Sequence, residues 1–521
     1  MRSAGAKSQG IMNIVGIDLG TSFSALAVLD EIGRPEIVPN SDGERITPSV
    51  VFFDPDDDDS VVIGEDALKN MDAYPDRVFA GVKGYMGTGK VFNVGDQAFT
   101  PTEISALILK KLIQDAEKLK GGIDEAVITV PANFSEKARV ATKEAGELAG
   151  LKKVTLVDEP VAAALQYATS KSIQGRLLVF ELSSGTFDVT IADIDGTDVK
   201  VITSQGDPNL GGKDFDRKLS ALLSDKYKEK CGEALFEGEP GHKLMDEAEG
   251  LKRTLSKKAL KGPDRPAKAV FMGPAGPQPL EVTPAEFEEV ISTFISKAEG
   301  LIDVALDEAK IKESGIDHVL LVGGSTRIPC IQRRLEKRFG KEPSAEVNPD
   351  EAVALGAAIH AGLHADPGRM TTLQKQEMEK VNLRDAANHY YGTIVYQESV
   401  TGEWEPTNAI IIDKNTPIPC SGDNIFYTTH AGQTVVNFTV TQSMAPEENP
   451  DFVTKISEAK LEGLPSGRPA DQEVKVEFSY DESKMMKCEF KDVATGKTTT
   501  VDIRPDDYQG AGGDTGDFTV E

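Results

Sequence analysis

The sequence has few cysteines, a single tryptophan and no long apolar run. Its cysteines, Cys231, Cys330, Cys420 and Cys488, are widely separated. No pair has zinc-ligand spacing, and scattered thiols do not form the disulfide framework of a small secreted domain. No apolar run reaches the roughly 18 residues of a membrane helix, and no signal-peptide core follows the first residues. We therefore expect a protein of the reducing cytoplasm, without membrane contact, that begins with a flexible tail at 1–12.

Basic residues are also scarce. The 57 lysines and arginines face 85 acidic residues, so the net charge is -28. Sequence-independent binding to nucleic acid needs clustered cations that neutralise phosphates, so this class of partner is not expected. An acidic chain can still bind a nucleotide, because local loops and Mg²⁺ set the field at such a site. The length of 521 residues predicts several structural units.

Four apolar, β-branched runs predict buried strands. These runs are Ile14–Ile17, Ala126–Val130, Leu177–Phe180 and Val319–Val322. Each ends in a turn that contains Gly or Pro, and longer helical patterns lie between them. This alternation is typical of an α/β fold.

Two signatures occur twice along the chain, in the same order. Thr100–Glu103 and Thr283–Glu286 both place Thr at a helix N-cap, Pro at the next position and Glu in the capping box. Asp18–Thr21 and Glu181–Thr186 both form a polar turn between two apolar strands. We interpret the repetition as a duplicated α/β lobe that occupies residues 13–365.

The residue pattern of the sequence changes after residue 365. A Pro-Gly break opens a short, polar linker, which we place at 366–387. Alternation of apolar and polar residues then predicts a small all-β domain at 388–505. Residues 506–521 are rich in Gly and Asp and are expected to be disordered.

The repeated polar turns are candidate phosphate loops. A Gly-Thr turn after a strand presents backbone N–H groups to phosphate oxygens, and Asp18 could hold Mg²⁺ through water. Two such turns that face each other would clamp a triphosphate. Ordinary strand-end turns remain the alternative, because the chain has neither a Walker-type P-loop nor a dinucleotide fingerprint. Gly323–Thr326 forms a third turn of this kind.

These residues belong to ordered motifs that resemble the DnaK-type chaperones, the 70-kilodalton heat-shock proteins. The motifs are IVGIDLGTS, ITVPANFSEKAR, VDEPVAAAL, FELSSGTFDV, GDPNLGGKDFDRKL, VLLVGGSTRIP and NPDEAVALGAA. The resemblance covers most of residues 13–365 and continues more weakly through 410–503. It implies an actin-like, two-lobed ATPase domain, a β-sandwich that binds peptides, and ATP or ADP with Mg²⁺ as cofactors.

The resemblance also implies roles for residues at matching positions. The phosphate loops would contribute Asp18, Gly20, Thr21, Ser22, Glu181, Ser183, Ser184 and Gly185. Catalysis would involve Lys83, Glu159, Asp188 and Thr186, and magnesium would be held through water by Asp18 and Glu181. The nucleoside side would comprise Gly211, Gly212, Glu249, Lys252, Arg253, Ser256, Gly323, Gly324, Ser325, Arg327 and Asp350.

In the β-domain the resemblance implies a peptide site formed by Trp404, Phe426, Thr429, Val436, Phe438 and Val474. The same residues could instead be sandwich core, and for Val474 the two interpretations have equal weight. Coupling between domains would involve Pro131, Arg139, Leu383 and Asp385. The implied partners are unfolded or extended polypeptides, a J-domain co-chaperone and a nucleotide exchange factor. A Pro- and Gly-rich segment at Lys257–Pro279 does not favour a standard exchange-factor contact.

Three departures from the family pattern modify these expectations. The second phosphate loop reads E-L-S-S-G-T rather than D-L-G-G-G-T, so we expect ATP to bind but to be hydrolysed slowly or not at all. The linker reads V-N-L-R-D, in which Asn382 and Arg384 should weaken docking into an apolar groove. Nothing after Ile503 resembles the helical lid of the family, so bound peptide should exchange quickly.

Three functions are therefore compared. The first is an ATP-regulated chaperone and probable ATPase that binds extended apolar segments. The second is a non-catalytic, ATP-dependent conformational sensor or an exchange-factor-like relative. A sugar or acetate kinase of the same duplicated fold is disfavoured, because such kinases lack the GGSTRIP and DEPVAAAL pattern followed by a β-domain.

Overall fold

A computed structural model describes residues 14–56, 60–344, 347–398, 402–501, 503 and 518–521. The predicted N-terminal tail at 1–12 and residues 506–517 of the predicted C-terminal tail lie outside these ranges. Within them, no helix combines the length and the apolar character that crossing a membrane requires. The four cysteines are unpaired thiols.

The first lobe, residues 14–171, is built on a mixed sheet with the strand order β11-β10-β1-β2-β3. Its strands are β1 (Ile14–Asp18), β2 (Phe23–Leu29), β3 (Pro35–Val38), β4 (Thr47–Pro48), β5 (Val50–Phe53), β6 (Ser60–Ile63), β7 (Val78–Ala80), β8 (Phe92–Val94), β9 (Gln97–Phe99), β10 (Glu125–Val130) and β11 (Lys153–Asp158). Its helices are α1 (Glu65–Lys69), α2 (Pro101–Lys120), α3 (Glu136–Leu148) and α4 (Glu159–Lys171).

The second lobe, residues 172–364, has a sheet with the order β17-β12-β13-β14. Its strands are β12 (Ile173–Leu182), β13 (Phe187–Gly196), β14 (Asp198–Asp207), β15 (Ala267–Gly273), β16 (Gly276–Val282) and β17 (His318–Val322). Its helices are α5 (Gly212–Cys231), α6 (His242–Ala259), α7 (Pro284–Ala309), α8 (Pro329–Phe339) and α9 (Ala352–His364).

The two lobes repeat one arrangement, which confirms the predicted duplication. In the first lobe β1 is antiparallel to β2 and parallel to β10. In the second lobe β12 is antiparallel to β13 and parallel to β17 in the same way. The predicted capping boxes are present at Thr100 and Thr283, where they begin α2 and α7. The four predicted buried strands are β1, β10, β12 and β17.

Helices α4 and α9 pack against each other between the two sheets. Their contact is close because glycine is present at the crossing: a Cβ atom at Gly356 would lie 1.7 Å from the Ala162 carbonyl oxygen. Gly16 of β1 allows the same close approach to α9, since a Cβ there would lie 2.1 Å from the Ala358 amide nitrogen. The phosphate-loop strands are therefore packed tightly on the helices that join the lobes.

The predicted linker contains helix α10 (Thr372–Met378) and strand β18 (Asn382–Arg384). Strand β18 extends the sheet of the second lobe by pairing in parallel with β14, with Leu383 opposite Val199. The structure differs here from the expectation of weakened docking. Because side chains alternate along a strand, Leu383 packs on the core between the lobes, whereas Asn382 and Arg384 are exposed.

The β-domain is a sandwich of two antiparallel sheets, ordered β20-β19-β22-β23 and β21-β24-β25-β26. Its strands are β19 (Tyr390–Glu398), β20 (Trp404–Ile412), β21 (Cys420–Tyr427), β22 (Val435–Ser443), β23 (Thr454–Glu462), β24 (Glu473–Tyr480), β25 (Met486–Asp492) and β26 (Thr498–Val501). The rings of Phe438 and Phe490 stack across the core at a centroid distance of 4.0 Å. The predicted fold class, a duplicated α/β domain followed by a β-sandwich, is confirmed.

The last residues differ from the expected disorder. Strand β27 (Thr519–Val520) pairs in parallel with β6 on the edge of the first lobe. Phe518 is buried with its ring 5.7 Å from that of Phe53 and 5.9 Å from that of Phe99. Composition alone did not predict this contact. The apolar residues Phe518 and Val520 lie on one face of a strand, but they follow a long Gly- and Asp-rich stretch that suggested disorder.

Candidate nucleotide site

A cleft of about 710 Å³ lies between the lobes and is lined from both sides. Most of the residues that the sequence suggested for nucleotide binding and catalysis line it: Asp18, Gly20, Thr21, Ser22, Lys83, Glu159, Glu181, Ser183, Ser184, Thr186, Glu249, Lys252, Arg253, Ser256, Gly323, Gly324, Ser325, Arg327 and Asp350. Asp188, Gly185, Gly211 and Gly212 lie directly behind this surface, in contact with lining residues.

The two predicted phosphate loops face each other across the cleft. The first joins β1 to β2, and the second joins β12 to β13. Ser22 Oγ donates a hydrogen bond to Ser184 Oγ at 2.8 Å, so one loop contacts the other directly. Thr21 lies beside the second loop as well, because a Cβ atom at Gly185 would be 3.3 Å from Thr21 Cγ2. The pair of turns therefore forms one continuous surface of backbone amides and hydroxyls.

The third Gly-rich turn joins the same surface. Ser325 Oγ donates a hydrogen bond to the Ser183 carbonyl oxygen at 3.1 Å. Gly211 and Gly212 fill the space between these turns without side chains. A Cβ at Gly211 would lie 2.5 Å from the Gly185 amide nitrogen, and one at Gly212 would lie 2.4 Å from Ser325 Oγ. Any larger residue at either position would push the turns apart.

A buried cluster of carboxylates lies at the base of the cleft. Single oxygens of Glu159, Glu181 and Asp188 lie within 4.8 Å of one another. Burial, reinforced by the charge of Glu159, raises the pKa of Glu181 and of Asp188 well above the usual range. Lys83 is paired with Glu159, and although burial opposes its charge, Glu159 and Asp18 raise its pKa.

The cluster has the donors that a magnesium ion needs. One ammonium, that of Lys83, faces the carboxyl groups of Glu159, Glu181, Asp188 and Asp18. Glu181 Oε2 is buried and has no hydrogen-bond partner among the described residues. A hard divalent cation with water in its shell suits such an excess of carboxylate oxygens. The predicted ligand Glu181 belongs to the cluster, and Asp18 lies beside it.

Asp18 has a separate environment at the end of β1. Thr129 Oγ1 donates a hydrogen bond to Asp18 Oδ1 at 3.0 Å. Burial and the nearby charge of Glu159 raise the pKa of Asp18 to about 7, against the opposing influence of Lys83. The charge of the Asp18 carboxyl near neutral pH therefore depends on whether a cation is bound beside it.

The nucleoside side of the cleft is built from α6 and the third turn. Its cations are paired with acidic neighbours: Lys252 with Asp216 at 2.8 Å, Arg253 with Glu249 at 2.5 Å, and Arg327 with Asp350 at 2.7 Å. Ser256 donates its hydroxyl to the Lys252 carbonyl oxygen at 2.9 Å. The guanidinium of Arg253 is largely exposed. It is therefore accessible for stacking on a base at the open side of the cleft.

Lys213 and Asp216 also line this cleft, and sequence reasoning missed both. Burial raises the pKa of Asp216 to about 6, although the positive charge of Lys252 opposes the shift. The available signal was their place in the motif NLGGKDFD, directly after the two glycines at the start of α5.

The residues suggested for coupling converge at the junction of the lobes, the linker and the β-domain. Arg139 is fully buried and donates to Asp158 Oδ1 at 2.9 Å. Asp158 also pairs with Lys484 of the β-domain, and Lys484 pairs with Asp385 of the linker at 2.8 Å. Asn388 donates to Asp158 Oδ2 at 2.6 Å. Lys484 and Arg139 hold the pKa of Asp158 below its usual value in spite of burial.

This chain of ion pairs adjoins the carboxylate cluster, because Asp158 directly precedes Glu159. Pro131 begins the turn after β10, where its carbonyl oxygen accepts from the Phe134 amide at 3.1 Å. Arg139 Nη2 donates to the carbonyl oxygen of Ala132 in the same turn, at 2.9 Å. The sequence pointed to Arg139 and Asp385, whereas no motif marked Asn388 or Lys484, and Asp158 stood in the VDEPVAAAL motif without an assigned role.

A second contact between the first lobe and the β-domain is centred on Glu136. Its backbone amide donates to Gln442 Oε1 at 2.9 Å, and its side chain accepts from Tyr391 Oη and from the Met486 amide at 3.3 Å each. Burial raises the pKa of Glu136 to about 7, although Arg139 opposes the shift. The β-domain is therefore docked through a titratable buried group.

The residues suggested for peptide binding fall into three groups. Trp404 is 60% exposed at the start of β20, and Thr429 is exposed in the turn after β21. Phe426 and Val436 are partly buried at the edge of the sandwich core. Phe438 and Val474 are buried within that core, so the structure favours the packing interpretation for these two.

Comparison with known proteins agrees with this architecture. A family model described as Hsp70 protein matches residues 14–94 and 89–512. Chaperone protein DnaK of Thermotoga neapolitana is 38% identical over 491 residues, which cover 93% of this chain and 79% of that protein. Chaperone protein DnaK of Thermosipho melanesiensis is 36% identical over 493 residues, which cover 94% of this chain and 79% of that protein.

Proposed function

The chain belongs to the Hsp70 family, and on this basis we propose that it is an ATP-dependent chaperone that binds extended apolar segments of unfolded proteins. The observation that supports this proposal most directly is the ion-pair chain Arg139–Asp158–Lys484–Asp385. It connects the base of the nucleotide cleft with the linker and the docked β-domain. A protein that only bound ATP would not need this connection.

In the proposed site, ATP or ADP lies in the cleft between the lobes. The amides and hydroxyls of the two loops, with Thr21, Ser22 and Gly185 at the centre, hold the phosphates. The base and the ribose lie between α6 and the third turn, beside Arg253 and Arg327. Asp18 and Glu181 would hold magnesium through water, at the carboxylate cluster that Glu159 and Asp188 complete.

The proposed enzymatic activity is hydrolysis of ATP. Phosphoryl transfer needs mainly positioning and neutralisation of charge. Lys83 would contact the γ-phosphate, and the Thr186 hydroxyl would orient the attacking water. As the water oxygen bonds to the γ-phosphorus, the bond from that phosphorus to the ADP oxygen would break, and the carboxylate of Glu159 or Asp188 would accept the proton of the water. A bound magnesium ion would neutralise charge on the phosphate oxygens. Because Ser183 and Ser184 restrict close backbone approach and Glu181 has a longer side chain than Asp, we expect slow turnover.

The proposed coupling follows from the adjacency of Asp158 and Glu159. A nucleotide that repositions Glu159 would move Asp158, and with it the pairing of Lys484 and the linker. Nucleotide and peptide would then influence each other's affinity to the same degree, as linkage requires. From family membership we also propose a J-domain co-chaperone and a nucleotide exchange factor as partners.

Binding of a fluorescent, unfolded model peptide with and without ATP tests this function. We expect the peptide to bind, with an affinity that changes at least about tenfold when ATP is added, which corresponds to a coupling free energy of about 1.4 kcal/mol. Absence of peptide binding, together with intact ATP binding, would favour the non-catalytic sensor instead.

A further inference from the structure

Lys213 is a cation of the nucleotide cleft that has no acidic partner among the described residues. Lys83, Lys252, Arg253 and Arg327 are each paired with a carboxylate of the protein. The ammonium of Lys213 also lines the cleft, but no described residue lies within ion-pair or hydrogen-bond distance of it. The nearest acidic groups, Glu249 and Asp216, are already engaged by Arg253 and Lys252.

Lys213 reaches from the second lobe to the first. Its backbone amide donates to the Ser184 carbonyl oxygen at 2.8 Å, which fixes the start of α5 to the second phosphate loop. Its side chain extends across the cleft to Gly81. A Cβ atom built on Gly81 would lie 2.4 Å from Lys213 Nζ and 4.0 Å from Thr21 Cγ2. The ammonium is therefore located where both phosphate loops meet the turn that carries Lys83.

The surroundings of this ammonium favour an anionic ligand. Lys213 is partly buried, and burial lowers its pKa although Glu249 and Asp216 oppose the shift. A desolvated ammonium without a partner is unfavourable, and an incoming polyphosphate would supply the missing charge. Lys83, by contrast, is already neutralised by Glu159. Lys213 is thus a partly buried cation beside the phosphate loops whose charge can pair with a ligand, whereas Lys257, which also lines the cleft, is exposed on α6.

We propose that Lys213 binds the β- or γ-phosphate of the nucleotide and draws the second lobe onto the first. This inference rests on the proposed function, since it requires a nucleotide in the cleft. This contact between Lys213 and a phosphate would make the cleft bind nucleoside di- and triphosphates more tightly than the nucleoside. Because the side chain spans the cleft, the same contact favours the closed arrangement of the lobes when phosphate is bound.

Calorimetric titration of the full chain with ATP, ADP and adenosine, all with magnesium, tests the proposal. Lys213→Met keeps the length of the side chain and removes its charge. We expect this variant to bind ATP about tenfold or more weakly, because a charge-assisted contact is lost, and to bind adenosine within about twofold of the original chain. An equal loss for ADP would place the contact on the β-phosphate, and an unchanged ADP affinity would place it on the γ-phosphate. Lys213→Arg should retain most of the triphosphate affinity.

Lys218→Met is the matched control, because it removes the same charge from the exposed face of the same helix. It should leave all three affinities unchanged. Unchanged ATP affinity in Lys213→Met, or an equal loss for adenosine and ATP, would overturn the proposal while the proposed function stands. If the original chain itself bound no ATP, both the proposal and the proposed function would fail. Thermal unfolding of each variant reports whether the fold is retained.

Discussion

Ser22 and Ser184 join the two phosphate loops through a hydrogen bond of 2.8 Å between their hydroxyl oxygens. Ser22 belongs to the first lobe and Ser184 to the second, so the bond crosses the nucleotide cleft. From the resemblance to the DnaK-type chaperones we expect glycine at the position of Ser184, and glycine has no side chain that could make this contact. The Ser184 side chain therefore links the two lobes directly.

The first prediction concerns this link. Ser22→Ala and Ser184→Gly each remove the hydrogen bond, whose net contribution is about 1 kcal/mol. We expect ADP to dissociate about fivefold faster from either variant, because the lobes open more easily. Ser184→Gly should also raise the hydrolysis rate, since it removes a Cβ from the phosphate surface. Stopped-flow release of a fluorescent nucleotide and single-turnover hydrolysis measure the two effects.

The double variant is the control for this prediction. If the serines act through one hydrogen bond, Ser22→Ala combined with Ser184→Gly should release ADP no faster than either single variant. Additive effects on release would show that the two residues act independently.

The second prediction concerns Lys484, which lies between Asp158 and Asp385. Lys484→Met leaves the buried carboxylate of Asp385 without its ion-pair partner and removes one of the two cations paired with Asp158, so we expect a loss of stability of about 3 kcal/mol or more and release of the β-domain from the first lobe. ATP should then no longer alter peptide affinity. Lys487→Met removes an exposed lysine from the neighbouring strand and should leave both properties unchanged.

The measurement for Lys484 is small-angle scattering together with peptide titration. Undocking should increase the radius of gyration in Lys484→Met. A compact variant with normal coupling by ATP would contradict the role of this ion-pair chain.

The third prediction concerns pH. The pKa of Glu136 is raised from 4.5 to about 7 in the folded state, so the folded chain binds this proton more tightly than the unfolded chain does. The stability that comes from Glu136 is therefore fully present below about pH 4.5 and is lost as the pH rises to about 7. One pKa unit corresponds to about 1.4 kcal/mol, so the loss is of the order of 3 kcal/mol.

Chemical unfolding between pH 5 and 8 tests this expectation. Glu136→Gln mimics the protonated acid and should remain stable as the pH rises, which flattens the profile. Glu147→Gln changes an exposed residue of the same helix and should keep the original profile. An unchanged slope in Glu136→Gln would show that another group controls the pH dependence.

The fourth prediction concerns the docked strand β27. The Ile63 amide donates to the Glu521 carbonyl oxygen at 3.1 Å, and Phe518 packs on the first-lobe core. Phe518→Ala should weaken this packing by about 2 kcal/mol and release the strand, so the Ile63 amide should exchange with solvent at least tenfold faster. Thr519→Ala alters an exposed side chain of the same strand and should leave Ile63 protected. Continued protection in Phe518→Ala would contradict the docking of this segment.

Much of the fold and of the cleft could be predicted from local patterns. The buried strands have apolar runs of the right length, and the capping boxes at Thr100 and Thr283 are local signals. The phosphate-loop residues lie in motifs next to strand ends, which fixes their position in an α/β fold.

The remaining features depend on contacts between distant parts of the chain. Lys484 and Asp158 are brought together only by docking of two domains, and nothing in either sequence segment marks the pair. Leu383 illustrates a different limit: the composition of the linker suggested weak docking, but strand alternation turns its polar neighbours outward. Lys213 lay in a recognised motif, but its lack of an acidic partner among the described residues depends on how Asp216 and Glu249 pair with Lys252 and Arg253 in three dimensions.

The central claim is that the cleft hydrolyses ATP in a manner coupled to the β-domain. Single-turnover hydrolysis with and without saturating unfolded peptide, in the original chain and in Lys83→Met, tests it most directly. We expect slow but measurable hydrolysis that peptide accelerates severalfold, and loss of both hydrolysis and acceleration in Lys83→Met while ATP still binds. Absence of hydrolysis in the original chain, or a rate that peptide leaves unchanged, would contradict it.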